Sequence, residues 1–216
     1  MKKNRIETDI MHLGEDPKDY NSAVVPPMYQ NSLFVFDGWD ELDRAFDDKP
    51  NQFIYSRGNN PTVTLVSKKI AALAKGEKAQ LFPSGMAAIT AACMHYLRPG
   101  DHVITINNIY GPAYNLFEKY LSYKMKISTS FVEGAEISDF EKVLRDNTRL
   151  IYLESPASVV FSLQDIESVV KLAKAHNIKT IIDNTWATPL FQQPLAMGVD
   201  LEVHSTSKYL GGHSDL

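Results

Sequence analysis

Residues 149–183 open with Arg149-Leu-Ile-Tyr-Leu153, continue through Glu154-Ser-Pro156 and a segment from Asp165 to His176, and close with Lys179-Thr-Ile-Ile-Asp183. The two flanking runs are short and apolar, as buried strands are. Asp165 stands where a helix opens, and the spacing after it predicts a helix to about His176. Strand, helix and strand in succession argue for a mostly parallel sheet with helices on both faces.

The same alternation extends outward. Toward the carboxyl end, Leu201 and Val203 alternate with Glu202 and His204, predicting one more strand. Toward the amino end, Arg98-Pro-Gly-Asp101 is a turn, His102-Val-Ile-Thr-Ile106 a strand and the stretch after Gly111 a helix. A strand lies near Ile127–Val132. Ser138 and Glu141 have capping-box spacing, predicting a helix to about Arg145. Lys78-Ala-Gln-Leu-Phe82 reads as a short strand, and Pro83-Ser-Gly-Met86 as a tight turn into an alanine-rich helix ending near Leu97. Asn60 and Pro61 form an N-cap and first-turn pair for a helix to about Lys75, with Gly76 as its stop signal. Trp39–Phe46 is a candidate short helix. Residues 1 to about 35 lack strong periodicity, and the prolines of Val24-Val-Pro-Pro-Met28 favour an extended arm lying on something else.

Composition narrows the class. The 216 residues carry a formal net charge of -4, and 44% are hydrophobic. That suffices for a packed core and gives no reason to expect nucleic acid or an anionic membrane as partner. The one cysteine, Cys93, sits in an apolar helical pattern and reads as a core residue. No run approaches transmembrane length, and the amino terminus is charged without an apolar signal core, so a cytoplasmic location is expected. No His/Cys/Asp group has metal-site spacing, and His204 reads as a packed strand residue.

In an open parallel sheet, ligands bind beyond the carboxyl ends of the strands. The chemically unusual residues fall there. Lys208 follows the hydroxyls Ser205, Thr206 and Ser207 directly after a strand, a setting in which an amine forms a Schiff base while hydroxyls hold a phosphate. Ser84, Gly85 and Met86 open a helix whose free N–H groups suit phosphate, or they form an ordinary turn. Tyr110 is placed to cover an aromatic ring or to cap the core. Asp183 ends an apolar strand, where a buried carboxylate needs a partner: a protonated pyridine nitrogen, a helix terminus or a salt bridge. Together these features fit pyridoxal 5'-phosphate.

From about Pro26 onward the chain resembles the Cys/Met-metabolism pyridoxal-phosphate enzymes of trans-sulfuration, closest in motifs to cystathionine β-lyase. The likeness rests on Tyr55-Ser-Arg57 with Asn60-Pro-Thr62, Pro83-Ser-Gly-Met-Ala-Ala88, Tyr110-Gly-Pro112, Glu154-Ser-Pro156, Asp183-Asn-Thr-Trp-Ala187, His204-Ser-Thr-Ser-Lys-Tyr-Leu210 and Gly212-His-Ser-Asp215. It implies a fold-type-I α/β domain in a homotetramer of active dimers. It implies that Lys208 binds the cofactor covalently, Asp183 meets its ring nitrogen and Tyr110 stacks on its ring. Gly85 and Met86 N–H groups, the Ser205 and Ser207 hydroxyls, and Tyr55 and Arg57 from a neighbouring subunit would hold its phosphate. Residues 1–60 are then an arm and inter-subunit loop, and residues 61–216 the cofactor-binding domain.

The resemblance also implies an activity: carbon–sulfur lysis of a sulfur amino acid, with β-elimination of cystathionine first. Cystathionine γ-synthase or γ-lyase, methionine γ-lyase and O-acylhomoserine sulfhydrylase chemistry are the alternatives, and a non-catalytic cofactor-binding or regulatory fragment is the rival of another class. Ser207 replaces the usual Thr before the lysine, Ser158 stands where many members have Asn, and Pro112 stands where methionine γ-lyases have Cys. Family members continue into a further domain carrying the arginine that binds the substrate carboxylate. A chain ending eight residues past Lys208 is therefore expected to be an amino-terminal fragment.

Overall fold

The computed structural model describes residues 6–213, which fall into two compact units divided between Leu81 and Phe82. Three α-helices lie in the first: α1 (Ile6–His12), α2 (Trp39–Asp47) and α3 (Pro61–Ala74). Asn60 organises this unit. Its side-chain oxygen accepts from the Thr62 N–H at 2.9 Å, capping α3. Its amide nitrogen donates to Tyr29 O at 3.0 Å and Ser56 Oγ at 2.9 Å. The segment around residue 30 is thereby tied to the polar loop before α3, where Leu33 and Tyr55 form an isolated antiparallel bridge. Lys69 of α3 pairs with Glu15 and donates to Met11 O at 3.1 Å, holding the end of α1. At the carboxyl end of α3 the left-handed residue is Lys75 (φ 57°), while the Gly76 N–H bonds Ala71 O at 2.8 Å. The expected stop signal therefore acts one residue early. Val24 and Val35 are almost fully exposed, and Met28 is largely so.

The second unit alternates helix and strand: α4 (Gly85–Tyr96), β1 (His102–Ile106), α5 (Gly111–Asn115), a π-helical segment Leu116–Leu121, α6 (Ser122–Met125), β2 (Ser128–Val132), α7 (Ile137–Glu141), β3 (Thr148–Glu154), α8 (Ile166–Ala175), β4 (Lys179–Asp183), α9 (Thr188–Phe191) and β5 (Leu201–Val203). The strands form one sheet in the order β2-β1-β3-β4-β5, every pair parallel. β1 is buried along its whole length, and β3 and β4 nearly so, which requires cover on both faces. The core runs through Val103, Ile104, Phe117, Leu150, Ile151, Tyr152, Ile181 and Ile182, with Cys93 fully buried among them. The parallel α/β architecture expected from the sequence is the one observed.

Two elements differ from expectation. Lys78–Phe82 is not a strand: no strand among the described residues pairs with it, and a strand exists only through its ladder. The helix expected to be boxed by Ser138 and Glu141 starts one residue before Ser138. It uses Asp139, whose carboxylate accepts from the Glu136 N–H at 3.3 Å, and it ends at Glu141 rather than Arg145. Two acidic residues three apart fulfil the same geometry slightly upstream.

At the start of β1, His102 is fully buried, with Nδ1 2.8 Å from Thr148 Oγ1 and Nε2 2.9 Å from Ser130 Oγ. Burial, and secondly the Arg145 charge, push its pKa down to about 4 from the ordinary 6.5. The folded state thus resists a proton that the unfolded chain accepts, so stability is lost as pH falls from about 6.5 to about 4. The loss should approach about 3 kcal/mol at the acid end. Urea unfolding of wild type and His102→Gln across this range should show the wild-type midpoint falling faster.

Candidate functional site

Register brings the site together. Glu154 at the end of β3 pairs with Asp183 at the end of β4, and Asp183 pairs with Val203 at the end of β5. Three strands therefore stop in one row, and the loops leaving them enclose a cavity of about 240 Å3. Tyr110, Glu154, Asp183, Thr185, Ser205 and Lys208 line it.

A short chain of hydrogen bonds connects its two chemically distinct ends. Asp183 Oδ1 accepts from the Thr185 N–H at 3.0 Å, Thr185 Oγ1 accepts from the Ser205 N–H at 2.8 Å, and Lys208 Nζ donates to Ser205 Oγ at 3.1 Å. Ser207 Oγ lies 3.1 Å from Ser205 Oγ. The Lys208 amine stands 5.6 Å from the centroid of the Tyr110 ring, within cation–π range. Burial raises the pKa of Asp183, while bonds from Thr185 and the charges of His204 and Lys208 pull it back. Such a carboxylate favours a cationic partner.

The start of α4 meets this cluster. Ser84 caps the helix, accepting the Ala87 N–H at 3.1 Å on its hydroxyl and the Ala88 N–H at 3.0 Å on its carbonyl. Among the described residues the Gly85 and Met86 N–H groups have no partner, as befits the open, electropositive end of a 12-residue helix. A Cβ on Gly85 would stand 2.9 Å from Ser205 Cβ and 3.0 Å from its Oγ, so only glycine allows the approach. An amine, unpaired helix N–H groups, clustered hydroxyls, an aromatic face and a buried carboxylate form a donor and acceptor set that fits an anionic, pyridine-bearing cofactor.

Of the residues expected at the site, Lys208, Tyr110, Asp183 and Ser205 line the cavity, and Gly85 and Ser207 contact Ser205. Tyr55 and Arg57 belong to the first unit, where the guanidinium lies 5.2 Å from the tyrosine ring centroid. Ser214 and Asp215 of the last motif lie outside the described residues. His204 lies just past the end of β5 rather than within the strand, its side chain is packed as expected, and its Nε2 lies 2.8 Å from Oε1 of Glu202.

The sequence reading gave no role to Thr185, Ser158 or Glu154. Glu154 Oε2 accepts from the Tyr110 N–H at 2.7 Å and Oε1 from the Ser158 hydroxyl at 2.5 Å. Thr185, two residues after Asp183, had a local signal, because an Asp side chain commonly bonds the N–H two residues on. Glu154 had none, since its partner Tyr110 is 44 residues away. Phe161, Trp186 and Tyr209 also line the cavity, the Trp186 ring centroid lying 5.5 Å from that of Phe161 and 6.3 Å from that of Tyr209.

The model of the family described as "Cys/Met metabolism PLP-dependent enzyme" matches residues 7–216. Similar curated proteins include an L-methionine gamma-lyase of Fusobacterium nucleatum subsp. nucleatum, 38% identical over all of this chain and 54% of its own length. A cystathionine beta-lyase of Coxiella burnetii is 34% identical over all of this chain and 53% of its own. A solved structure of a putative O-acetylhomoserine (thiol)-lyase from Campylobacter jejuni, containing N'-pyridoxyl-lysine-5'-monophosphate, superposes with a TM-score of 0.89 at 33% identity. It covers 98% of this chain and 52% of that one. The chain thus spans about half the length of the curated relatives it matches. On its sequence, its parallel sheet and its strand-end cluster, this chain belongs to the Cys/Met metabolism PLP-dependent enzymes.

Proposed function

We propose that the whole protein is a carbon–sulfur lyase acting on a sulfur amino acid, with β-elimination of cystathionine as its reaction. The observation that carries the reading is one cavity lined by the Lys208 amine, the Tyr110 ring and the buried Asp183 carboxylate. Lys208 would hold pyridoxal 5'-phosphate covalently. Gly85 and Met86 N–H groups and the Ser205 and Ser207 hydroxyls would take its phosphate, and Tyr110 would lie against its ring. When bound, the cofactor supplies an electron sink for charge at the substrate's α-carbon.

The chain's own residues handle protons and orientation. Lys208 Nζ, once free, accepts the α-proton, with Ser205 Oγ holding the amine toward the cavity. Asp183 would hold a positively charged ring nitrogen, and such an ion pair would offset the burial of its carboxylate. Tyr110 or Lys208 returns a proton to the departing sulfur. Cystathionine γ-synthase, γ-lyase, methionine γ-lyase and O-acylhomoserine sulfhydrylase chemistry use the same frame. Incubating the full-length protein with cystathionine tests the first reading: pyruvate marks β-elimination, and 2-oxobutyrate, or no keto acid at all, overturns it.

The lysine assignment predicts that borohydride treatment of the cofactor-loaded full-length protein labels the peptide containing Lys208. Label on another lysine removes the assignment. For Asp183→Ala, cofactor retention should persist in part. Exchange of the substrate α-proton with deuterium should slow by about a hundredfold or more, and near wild-type exchange would count against the role.

The proposal extends to a homodimer whose site is shared. Tyr55 and Arg57 are exposed, and arginine's planar fork suits a phosphate. Arg57→Ala and Lys208→Ala chains, each inactive alone, should regain activity when mixed, up to about half per mixed dimer, because one site then carries both lesions and the other none. If subunit exchange is verified and no activity returns, both residues serve one chain's site.

A further inference from the structure

We infer that Glu154 is a positioning residue: its carboxylate clamps the backbone of Tyr110 to the loop at Ser158 and so fixes the Tyr110 ring beside the Lys208 amine. The inference rests on the proposed roles of Tyr110 and Lys208.

Each Glu154 oxygen has its own donor. Oε2 takes the Tyr110 N–H at 2.7 Å, and Oε1 takes the Ser158 hydroxyl at 2.5 Å. Tyr110 needs such an anchor. The residue is 40% exposed, and it is the non-helical residue just ahead of α5. The helical run that starts at Gly111 uses only the Tyr110 carbonyl, which accepts from the Tyr114 N–H at 2.9 Å, and leaves the Tyr110 N–H free for a charge-assisted bond from the end of a buried strand. The anchor itself is rigid: Glu154 is 8% exposed, and its backbone is paired in register with Asp183. The carboxylate therefore transmits the position of the sheet to the ring, which lies 5.6 Å from Lys208 Nζ.

Ser158 completes the clamp. Val159 and Phe161, which follow it, both have left-handed backbones (φ 66° and 54°), a conformation disfavoured for a β-branched or bulky residue. Val159 is 87% exposed, so packing of its side chain supplies little restraint. The Ser158–Glu154 bond, together with the Phe161 N–H to Ala157 O bond at 3.0 Å, fixes this turn over the cavity. Burial raises the pKa of Glu154, and the bonds from Ser158 and Tyr110 offset part of that. These two donors thus help the carboxyl remain an acceptor on both sides.

The test uses the full-length protein with 3-fluorotyrosine incorporated, the Tyr110 fluorine resonance being assigned through Tyr110→Phe. Glu154→Asp keeps the charge but is one methylene short of reaching both donors. Glu154→Gln keeps the length, its oxygen accepting from Tyr110 and its amide donating to the Ser158 oxygen. In cofactor-free protein, Glu154→Asp should shift and broaden the Tyr110 line alone, Glu154→Gln should return it to the wild-type position, and Ser158→Ala should move it in the same direction as Glu154→Asp. In cofactor-loaded protein, kcat of Glu154→Asp should fall on the order of tenfold. An unmoved Tyr110 line in Glu154→Asp overturns the clamp, and so does equal movement of every tyrosine line, which marks general loosening. If wild type binds no cofactor, the proposed function fails, but the fluorine spectra of the cofactor-free protein still decide the clamp.

Discussion

The site depends on where a parallel ladder stops. β3, β4 and β5 end in register at Glu154, Asp183 and Val203, so the chain leaves three neighbouring strands along a single edge of the sheet. No loop has to search for another. The carboxylates of Glu154 and Asp183 stand in adjacent positions because the pairing of Leu150 with Lys179 and Ile151 with Thr180 puts them there. The two strands are in turn held by Leu150, Ile151, Ile181 and Ile182, whose side chains have no exposure to solvent. A one-residue slip would turn the apolar set of a strand to the wrong face, so the cost of misplacing the site equals the cost of misplacing the core.

Two buried carboxylates side by side are unfavourable unless each has its own compensation. Glu154 is raised by burial and secondarily by the negative charge of Asp183. The two are satisfied differently. Glu154 spends both oxygens on neutral donors, an N–H and a hydroxyl, and is saturated within the protein. Asp183 is relieved first by the side chain and N–H of Thr185 and then by the charges of His204 and Lys208. The saturated carboxylate is suited to holding protein parts, and the other to meeting a cation that arrives from outside.

What the sequence revealed divides along the reach of the forces involved. Apolar runs such as Leu150–Leu153 and Thr180–Ile182 announced themselves because burial on both faces leaves no room for polar alternation. The caps Asn60 and Asp165 were legible because a cap bonds an N–H two or three residues ahead. Lys78–Phe82 misled because strand identity resides in the partner. The α7 cap misled because Glu136 and Asp139 compete with Ser138 and Glu141 at equal spacing. Lys208 and Asp183 were readable from their place at strand ends, whereas Glu154 was a lone acid in a motif. Its meaning arises from two loops that approach it only in the folded chain.

The remaining constraint is steric. Asp183, Thr185, Ser205 and Lys208 form one hydrogen-bonded line, in which the Ser205 N–H faces one neighbour and its hydroxyl the other. Ser205 can hold both only if its side chain keeps its place against the start of α4. The absence of a side chain at Gly85 makes that possible, since a Cβ there would come within 3.0 Å of Ser205. A methyl at residue 85 would push on Ser205 Cβ and Oγ together, moving the hydroxyl that accepts from the Lys208 amine and pulling on the bond to Thr185 Oγ1. The glycine thus serves two purposes at once. It lets unpaired N–H groups of a helix end stand close to a pair of hydroxyls, and it protects the spacing between the amine and the carboxylate that the strand ends establish.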